Sequence, residues 1–221
     1  MIDFSEIDLV IFDLDGTLID SAMDLAVSLD LAMKEEGLRS LSIDELLQRI
    51  SVGSKNLLRE LVNDDRHAEK RIFDHYIKHY SQRMFDNTKL YPNVLELLDL
   101  LQSKTVALVS NKREEPCKII LKYFKIDHHF KMVLGGDSLP LKKPNPAPIL
   151  HICKELNIAP ERTLMIGDSP VDLEAGQMAG AKTIGILEGL TPENVMRKNK
   201  ANIFLKKVGD IIALLNHPEK A

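Results

Sequence analysis

The chain has 221 residues, 44% of them hydrophobic, with 33 acidic against 29 basic side chains and a net charge of −4. That length supports one or two domains whose core needs no disulfide staples, and the acidic balance argues against a nucleic-acid-binding protein, which would carry a basic excess. No stretch approaches the roughly 18 consecutive apolar residues of a membrane span, and an N-terminus bearing Asp3, Glu6 and Asp8 without a basic cluster is unlike a secretory signal.

The first predicted element is a strand over Ile7 to Phe12, a short apolar run stopped by Asp13-Leu14-Asp15-Gly16-Thr17-Leu18. From about Ser21 to Phe85 only helical patterns follow. Ala22, Ala26, Leu29 and Met33 form one stripe, and Ser42-Ile43-Asp44-Glu45 is a capping-box start for the next helix. Leu57, Leu58, Leu61 and Val62 form a third stripe, and Phe73, Tyr76, Ile77, Tyr80 and Met84 a fourth. Tyr91-Pro92 marks the return to a sheet, because proline disfavours helix before it and can start one after it.

Strands are then predicted at Thr105 to Val109, Lys131 to Leu134, Thr163 to Ile166 and Thr183 to Ile186, with Ile203 to Leu205 a further candidate. Helical spacing separates them at Ile119, Ile120, Tyr123 and Phe124, and again at Ile149, Ile152, Cys153 and Leu156. Alternating short strands and helices imply an α/β fold, a Rossmann-like parallel sheet core, interrupted by an inserted all-helical unit. The two cysteines, Cys117 and Cys153, lie in helical patterns among apolar neighbours and read as buried, reduced side chains, which fits a cytoplasmic protein. His75 and His79 are four apart on a predicted helix with no acidic or cysteine cluster to complete a metal site, so they read as a solvated face, and His128-His129 as a loop.

Four clusters carry candidate chemistry. Asp13 and Asp15 sit two apart in a turn that Gly16 permits, a pairing that repels unless a cation or proton relieves it. Ser110 and Asn111 follow the second predicted sheet strand, where a hydroxyl and backbone N–H groups can hold phosphate oxygens. Lys143 precedes Pro144, which holds it extended or in a turn, and Asp168 and Asp172 stand at a strand end and helix start where both could reach one cation. Each has a plainer reading: a solvated turn, a helix cap, a basic loop, and N-capping by Asp168 or Ser169. Taken together, with each cluster just after a predicted parallel strand, all four face one crevice. They supply hard oxygen ligands for Mg²⁺ and donors plus positive charge for a phosphate.

These motifs, Asp-x-Asp-Gly-Thr from Asp13, Ser-Asn at Ser110, Lys-Pro at Lys143 and Gly-Asp-Ser-x-x-Asp from Gly167, resemble those of the haloacid dehalogenase superfamily over essentially the whole chain. Gly135-Gly136-Asp137-Ser138 with Lys142 to Pro148 is similar to the phosphoglycolate phosphatase group. The resemblance implies a core of residues 1–19 and 87–221 with a helical cap of residues 20–86. It implies a Mg²⁺-dependent phosphomonoester hydrolase working through an aspartyl phosphate, most simply on phosphoglycolate. Alternatives are pyrophosphate, a sugar phosphate or a phosphomutase reaction, and from another class a catalytically silent binding protein. Carried across by motif, Asp13 is the nucleophile, and Asp15 protonates the leaving group and then activates water. Asp13, the Asp15 backbone carbonyl and Asp168 hold Mg²⁺, with Asp172 in support. Ser110 and Lys143 bind the phosphoryl group, helped by Thr17 and Asn111. Asp15 argues for phosphoester chemistry, since halide departure needs no proton. The implied partner is a small phosphorylated metabolite, with neither nucleic acid nor membrane involved and the protein a monomer or homodimer. The sequence departs from the group in the cap: of an expected Gly-x-Gly loop, the stretch Ile50 to Lys55 keeps only Gly53. Lys55 and Arg59 are candidates to meet a substrate carboxylate.

Overall fold

The computed structural model of the chain describes residues 2–43, 45–47, 59, 62 and 65–216. Leu9–Phe12 (β1) is wholly buried, and its side chains alternate between two cores: Val10 and Phe12 on one side, Leu9 and Ile11 on the other. A strand covered on both faces must be apolar throughout, which is why the run reads without a polar break. Thr105–Val109 (β4) and Thr163–Gly167 (β6) flank it in parallel, splitting Val106, Leu108, Leu164 and Ile166 from Ala107, Val109 and Met165 in the same way.

With Met132–Leu134 (β5), Lys182–Ile186 (β7) and Ile203–Leu205 (β8) the strands form one six-stranded sheet, ordered β5-β4-β1-β6-β7-β8 and parallel throughout. Val94–Leu100 (α3), Glu114–Tyr123 (α4) and Ile211–Asn216 (α8) cover one face through Leu97, Leu98, Ile120, Leu121 and Ile211. Ala147–Leu156 (α5) and Pro170–Ala179 (α6) cover the other through Ile149, Ile152 and Ala175. Glu193–Met196 (α7) adds a small cluster with Leu173 and Leu187. Cys117 and Cys153 are buried and unpaired, on opposite faces of the sheet. No helix among the described residues is long and apolar enough to cross a membrane.

Two sequence expectations shift. The first strand begins at Leu9 rather than Ile7, because Asp3 accepts a hydrogen bond from the Ser5 N–H and caps a short 3₁₀ helix, Phe4–Glu6, ahead of it. His128-His129 lie in a second 3₁₀ helix, Asp127–His129, rather than a loop.

Between β1 and β4 the chain leaves the sheet. Ile19–Asp20 (β2) and Lys89–Leu90 (β3) pair antiparallel, so the chain departs and returns through one narrow ribbon, an element the sequence reading did not contain. Between them lie Ala22–Glu35 (α1), a helical turn at residues 43 and 45–47, and Arg66–Arg83 (α2). Ser42 accepts from the Glu45 N–H (3.2 Å), as the capping pattern requires, and Asp65 caps α2 by accepting from the His67 and Ala68 N–H groups. Ala26, Leu29, Ala32 and Met33 pack with Leu41, Leu46 and Ile72 into a core separate from the sheet's. Leu25, Tyr80 and Met84, at the sheet end of the two helices, join the sheet core instead. Leu57, Leu58, Leu61, Lys55 and Gly53 lie outside the described residues.

The ribbon is pinned by a buried carboxylate. Asp24, in the first turn of α1, accepts from the Asn87 N–H and side-chain amide and from the Thr88 N–H and hydroxyl, at 2.7 to 3.0 Å. Burial disfavours its charge, but these bonds from Asn87 and Thr88 outweigh it and hold the carboxyl below its ordinary value of 3.8. A depressed carboxyl pKa adds stability that is complete above the unfolded value and is lost as pH falls through the lower folded value. Asp24→Ala should therefore cost about 3 kcal/mol in urea unfolding at neutral pH, with the difference from wild type shrinking below about pH 4. A loss under about 1 kcal/mol at neutral pH would contradict the pinning role.

Candidate active site

The sheet register sets the site. Phe12 lies level with Leu108 and Ile166, so β1 ends one residue before β4 and β6, and Asp13, Ser110 and Asp168 leave the sheet at one edge. The Asp13 N–H still donates to the Ile166 carbonyl (2.9 Å) before the chain turns. The turn closes through Leu18 and Ile19 N–H groups onto the Leu14 carbonyl and the Gly16 N–H onto Ile19. Gly16 has φ +85°, and a Cβ there would lie 2.1 Å from Asp168 Oδ2. Only glycine gives both the left-handed turn and the room for Asp168 beside it.

Lys143 is the hub. Its side chain is 1% exposed, and its ammonium lies 2.5 Å from Asp172 Oδ1, 2.9 Å from Asp13 Oδ1 and 2.7 Å from the Val109 carbonyl. The sequence reading placed this lysine just after a strand; instead it stands well beyond the end of β5, in the long loop leading to α5, and the loop carries it back. That return needs close backbone approach: a Cβ on Gly136 would meet the Asn111 carbonyl oxygen at 2.3 Å. The Asn111 side-chain amide then donates to the Lys143 carbonyl (2.9 Å), and the Lys143–Pro144 peptide is cis.

Asp172 does two jobs at once. It is the third residue of α6, where it accepts from the N–H (3.0 Å) and hydroxyl (2.5 Å) of the N-cap Ser169, and its other oxygen receives Lys143. Asp172 thus completes the Ser169 cap of α6 and holds the Lys143 ammonium at the same time. Asp168 accepts from the Thr17 hydroxyl (3.1 Å) and the Leu190 N–H (2.7 Å).

Asp13, Asp168 and Asp172 are buried, each with an oxygen within 4.8 Å of the others, the one such group among the described residues. Burial, more than any neighbour, pushes the Asp13 carboxyl up to about 6, against the pull of Lys143, and it holds Asp168 well above the usual carboxylate range. For Lys143 burial works against the charge, but Asp13 and Asp172 outweigh it and keep the ammonium firmly protonated. One ammonium facing three carboxylates leaves the cluster under-compensated. Asp13 Oδ1 meets Lys143 only as an ion pair, with no aligned hydrogen-bond donor. Asp172 has one oxygen on the Lys143 ammonium and the other on Ser169, whereas Asp168 accepts only from neutral donors, so Asp13 and Asp168 are the pair with charge left for a hard divalent cation.

The remaining predicted residues gather at this edge. Ser110 is buried, its hydroxyl accepting from the Lys112 N–H (3.2 Å). Thr17 is wholly buried, its N–H bonded to Leu14 and its hydroxyl to Asp168, so it braces Asp168 rather than offering a free donor. Asp15 is held at both oxygens, by the Ser21 hydroxyl (2.6 Å) and by the Lys112 ammonium (3.0 Å), which also meets the Tyr80 hydroxyl (2.9 Å). Burial opposes the charge on Lys112, but Asp15, Tyr80 and Tyr76 keep it well above the usual lysine value. The sequence reading gave no role to Lys112, Ser21 or Tyr80; the lysine's place directly after Ser110-Asn111 was the available signal. Away from this edge, Arg59 pairs with Glu69 (3.3 Å), and His79 and His75 pair with Glu35 across the two long helices.

The chain is similar to known proteins over nearly its full length. The model of the haloacid dehalogenase-like hydrolase family matches residues 10–186. A phosphoglycolate phosphatase of Psychrobacter arcticus is 38% identical, with 96% of each chain covered. One from Aquifex aeolicus is 36% identical, covering 94% of this chain and 96% of that one. Among solved structures, a protein from Haemophilus somnus described as a predicted phosphoglycolate phosphatase superposes with a TM-score of 0.86 at 32% identity, covering 95% and 98% of the two chains.

Removing the hub should expose the repulsion that it masks. Lys143→Met should lose about 3–5 kcal/mol in chemical denaturation, because it leaves two buried carboxylates without their cation. A change under about 1 kcal/mol would mean that the ion pairs do not hold the site together.

Proposed function

The chain belongs to the haloacid dehalogenase-like hydrolase family, and on that premise we propose that it is a Mg²⁺-dependent phosphatase that hydrolyses 2-phosphoglycolate through a phosphoryl group carried on Asp13. The observation that carries the reading is the Asp13 carboxylate at the end of β1, with one oxygen lacking a hydrogen-bond donor, beside a fixed ammonium and a second buried carboxylate. The substrate follows from the relatives, which bear the name phosphoglycolate phosphatase at 31–38% identity over most of the chain.

Asp13, Asp168 and the Asp15 backbone carbonyl would hold the Mg²⁺, which when bound supplies positive charge to draw an anionic ester onto an anionic nucleophile. An Asp13 oxygen attacks phosphorus as the bond from phosphorus to the alkoxide oxygen breaks, and the alkoxide takes its proton from the protonated form of Asp15, which the proton removed from water in the second step restores. Asp15, now a carboxylate, removes a proton from water, whose oxygen attacks the same phosphorus and frees Asp13 and phosphate. Lys143 and Ser110, with the Asn111 backbone, meet the phosphoryl oxygens as negative charge builds. Asp172 fixes the Lys143 ammonium, and Thr17 fixes Asp168. Residues 20–86 act as a cap over this edge and residues 1–19 and 87–221 as the core that bears it.

The test is phosphate release from a panel of phosphoesters with and without Mg²⁺. Phosphoglycolate should lead the panel, a chelator should abolish turnover and added Mg²⁺ restore it, and folded Asp13→Asn should be inactive. Full activity in excess chelator would remove the metal from the reading. Pyrophosphate, nucleotides or sugar phosphates exceeding phosphoglycolate about tenfold in kcat/KM, roughly 1.4 kcal/mol of transition-state preference, would replace the substrate.

A further inference from the structure

Lys112 is a largely buried cation outside the phosphate-binding set. Its side chain is 10% exposed, so its ammonium needs partners, and those it has are informative: Asp15 Oδ2 at 3.0 Å, the Tyr80 hydroxyl at 2.9 Å and the face of the Tyr80 ring, 4.2 Å to the centroid. Its backbone has no freedom to wander. The Lys112 N–H donates to Ser110 and its carbonyl accepts from the Gly136 N–H (2.7 Å). The core therefore fixes where the side chain starts, and Asp15 and Tyr80 fix where it ends.

Those two ends belong to different parts of the molecule. Asp15 lies in the turn after β1, whereas Tyr80 sits on α2, 4% exposed and stacked on Tyr76 with ring centroids 6.1 Å apart. The second Asp15 oxygen is taken by Ser21, the residue just ahead of α1. Ser21 at the entrance of the cap takes one oxygen of the carboxylate, and Lys112 of the core, anchored by Tyr80 on the far helix, takes the other, which together set its rotamer.

We propose that Lys112 is a positioning residue for Asp15 and that Tyr80 anchors it, so that the acid–base step depends on the cap being seated on the core. This rests on the acid–base role given to Asp15 above. A carboxylate held by Ser21 alone retains one fixed oxygen and can turn about it; with Lys112 in place both are fixed. Withdrawing α2 would remove the Tyr80 hydroxyl and ring from the ammonium and loosen the grip on Asp15. The role predicts a particular loss. General acid help matters for an aliphatic ester, which leaves as a basic alkoxide, and little for a p-nitrophenyl ester, which leaves as a stabilised phenolate.

The experiment compares kcat/KM for 2-phosphoglycolate and p-nitrophenyl phosphate in wild type, Lys112→Met, Tyr80→Phe and Asp15→Asn, with folding followed by thermal unfolding. Lys112→Met should lose about 30-fold on phosphoglycolate and under about threefold on the p-nitrophenyl ester. Tyr80→Phe, which keeps the ring and its packing, should lose about threefold to tenfold on the first and essentially nothing on the second. Should Lys112→Met fail to fold, Tyr80→Phe decides alone. Equal losses on the two esters in the folded Lys112 and Tyr80 variants, or no loss in them, overturn the proposal if Asp15→Asn itself discriminates between the esters. If Asp15→Asn shows no leaving-group dependence, the acid–base assignment fails first and the positioning role falls with it.

Discussion

A buried ammonium organises this molecule's functional edge. Lys143 brings together Asp13 from the end of β1, Asp172 from the start of α6 and the last carbonyl of β4, three elements that share no local sequence. Opposite charges at such distances, out of water, attract strongly, but the gain is largely offset by the cost of desolvating them. What the arrangement supplies is geometry. The lysine cannot leave without stranding two carboxylates, and the carboxylates cannot rearrange without stranding the lysine. Everything nearby serves that placement: Gly136 lets the loop pass close to Asn111, Asn111 holds the Lys143 carbonyl, and Ser169 occupies the Asp172 oxygen that the lysine leaves free. The charge left uncompensated falls on Asp13 and Asp168, where a divalent cation and an anionic substrate would be received.

The helical segment is tied to this edge by polar contacts at its base as well as by apolar packing. Asp24 joins α1 to the returning strand of the ribbon, and Lys112 joins Tyr80 of α2 to the turn that carries Asp15. Between them Leu25, Tyr80 and Met84 merge into the sheet's core, while the rest of the segment keeps a core of its own. The position of this unit on the sheet is registered first by the groups at its base. Asp15, the proposed acid–base carboxylate, is among them.

Much of the site was legible in the sequence because of how a parallel sheet is made. Strands buried on both faces read as unbroken apolar runs, and their level register brings the polar residues that end them to one edge; Asp13, Ser110 and Asp168 follow from that alone. Lys143 follows only in part, since its motif stands far from any strand and only the loop's tertiary path explains its arrival. The ribbon β2–β3 was invisible because two-residue strands have no periodicity. Asp24 and Tyr80 were hidden differently: Asp24 is an acidic residue in the first turn of a helix and Tyr80 sits on an apolar helical stripe, and nothing in either pattern singles out a side chain that reaches across to Thr88 or Lys112. Ile7 was drawn into the first strand by its apolarity, although the cap at Asp3 commits the preceding residues to a helical turn.

The proposed reaction turns on covalent passage of the phosphoryl group through Asp13. It is tested most directly by mixing Asp15→Asn protein with p-nitrophenyl phosphate and Mg²⁺, quenching in acid and mapping the added mass by peptide mass spectrometry. With the water-activating carboxylate removed, the phosphoryl group should accumulate on the peptide containing Asp13 and be absent when Asp13→Asn is combined with the first change. A phosphoryl group found on another residue, or turnover of the ester with no phosphoenzyme detectable, would contradict the account.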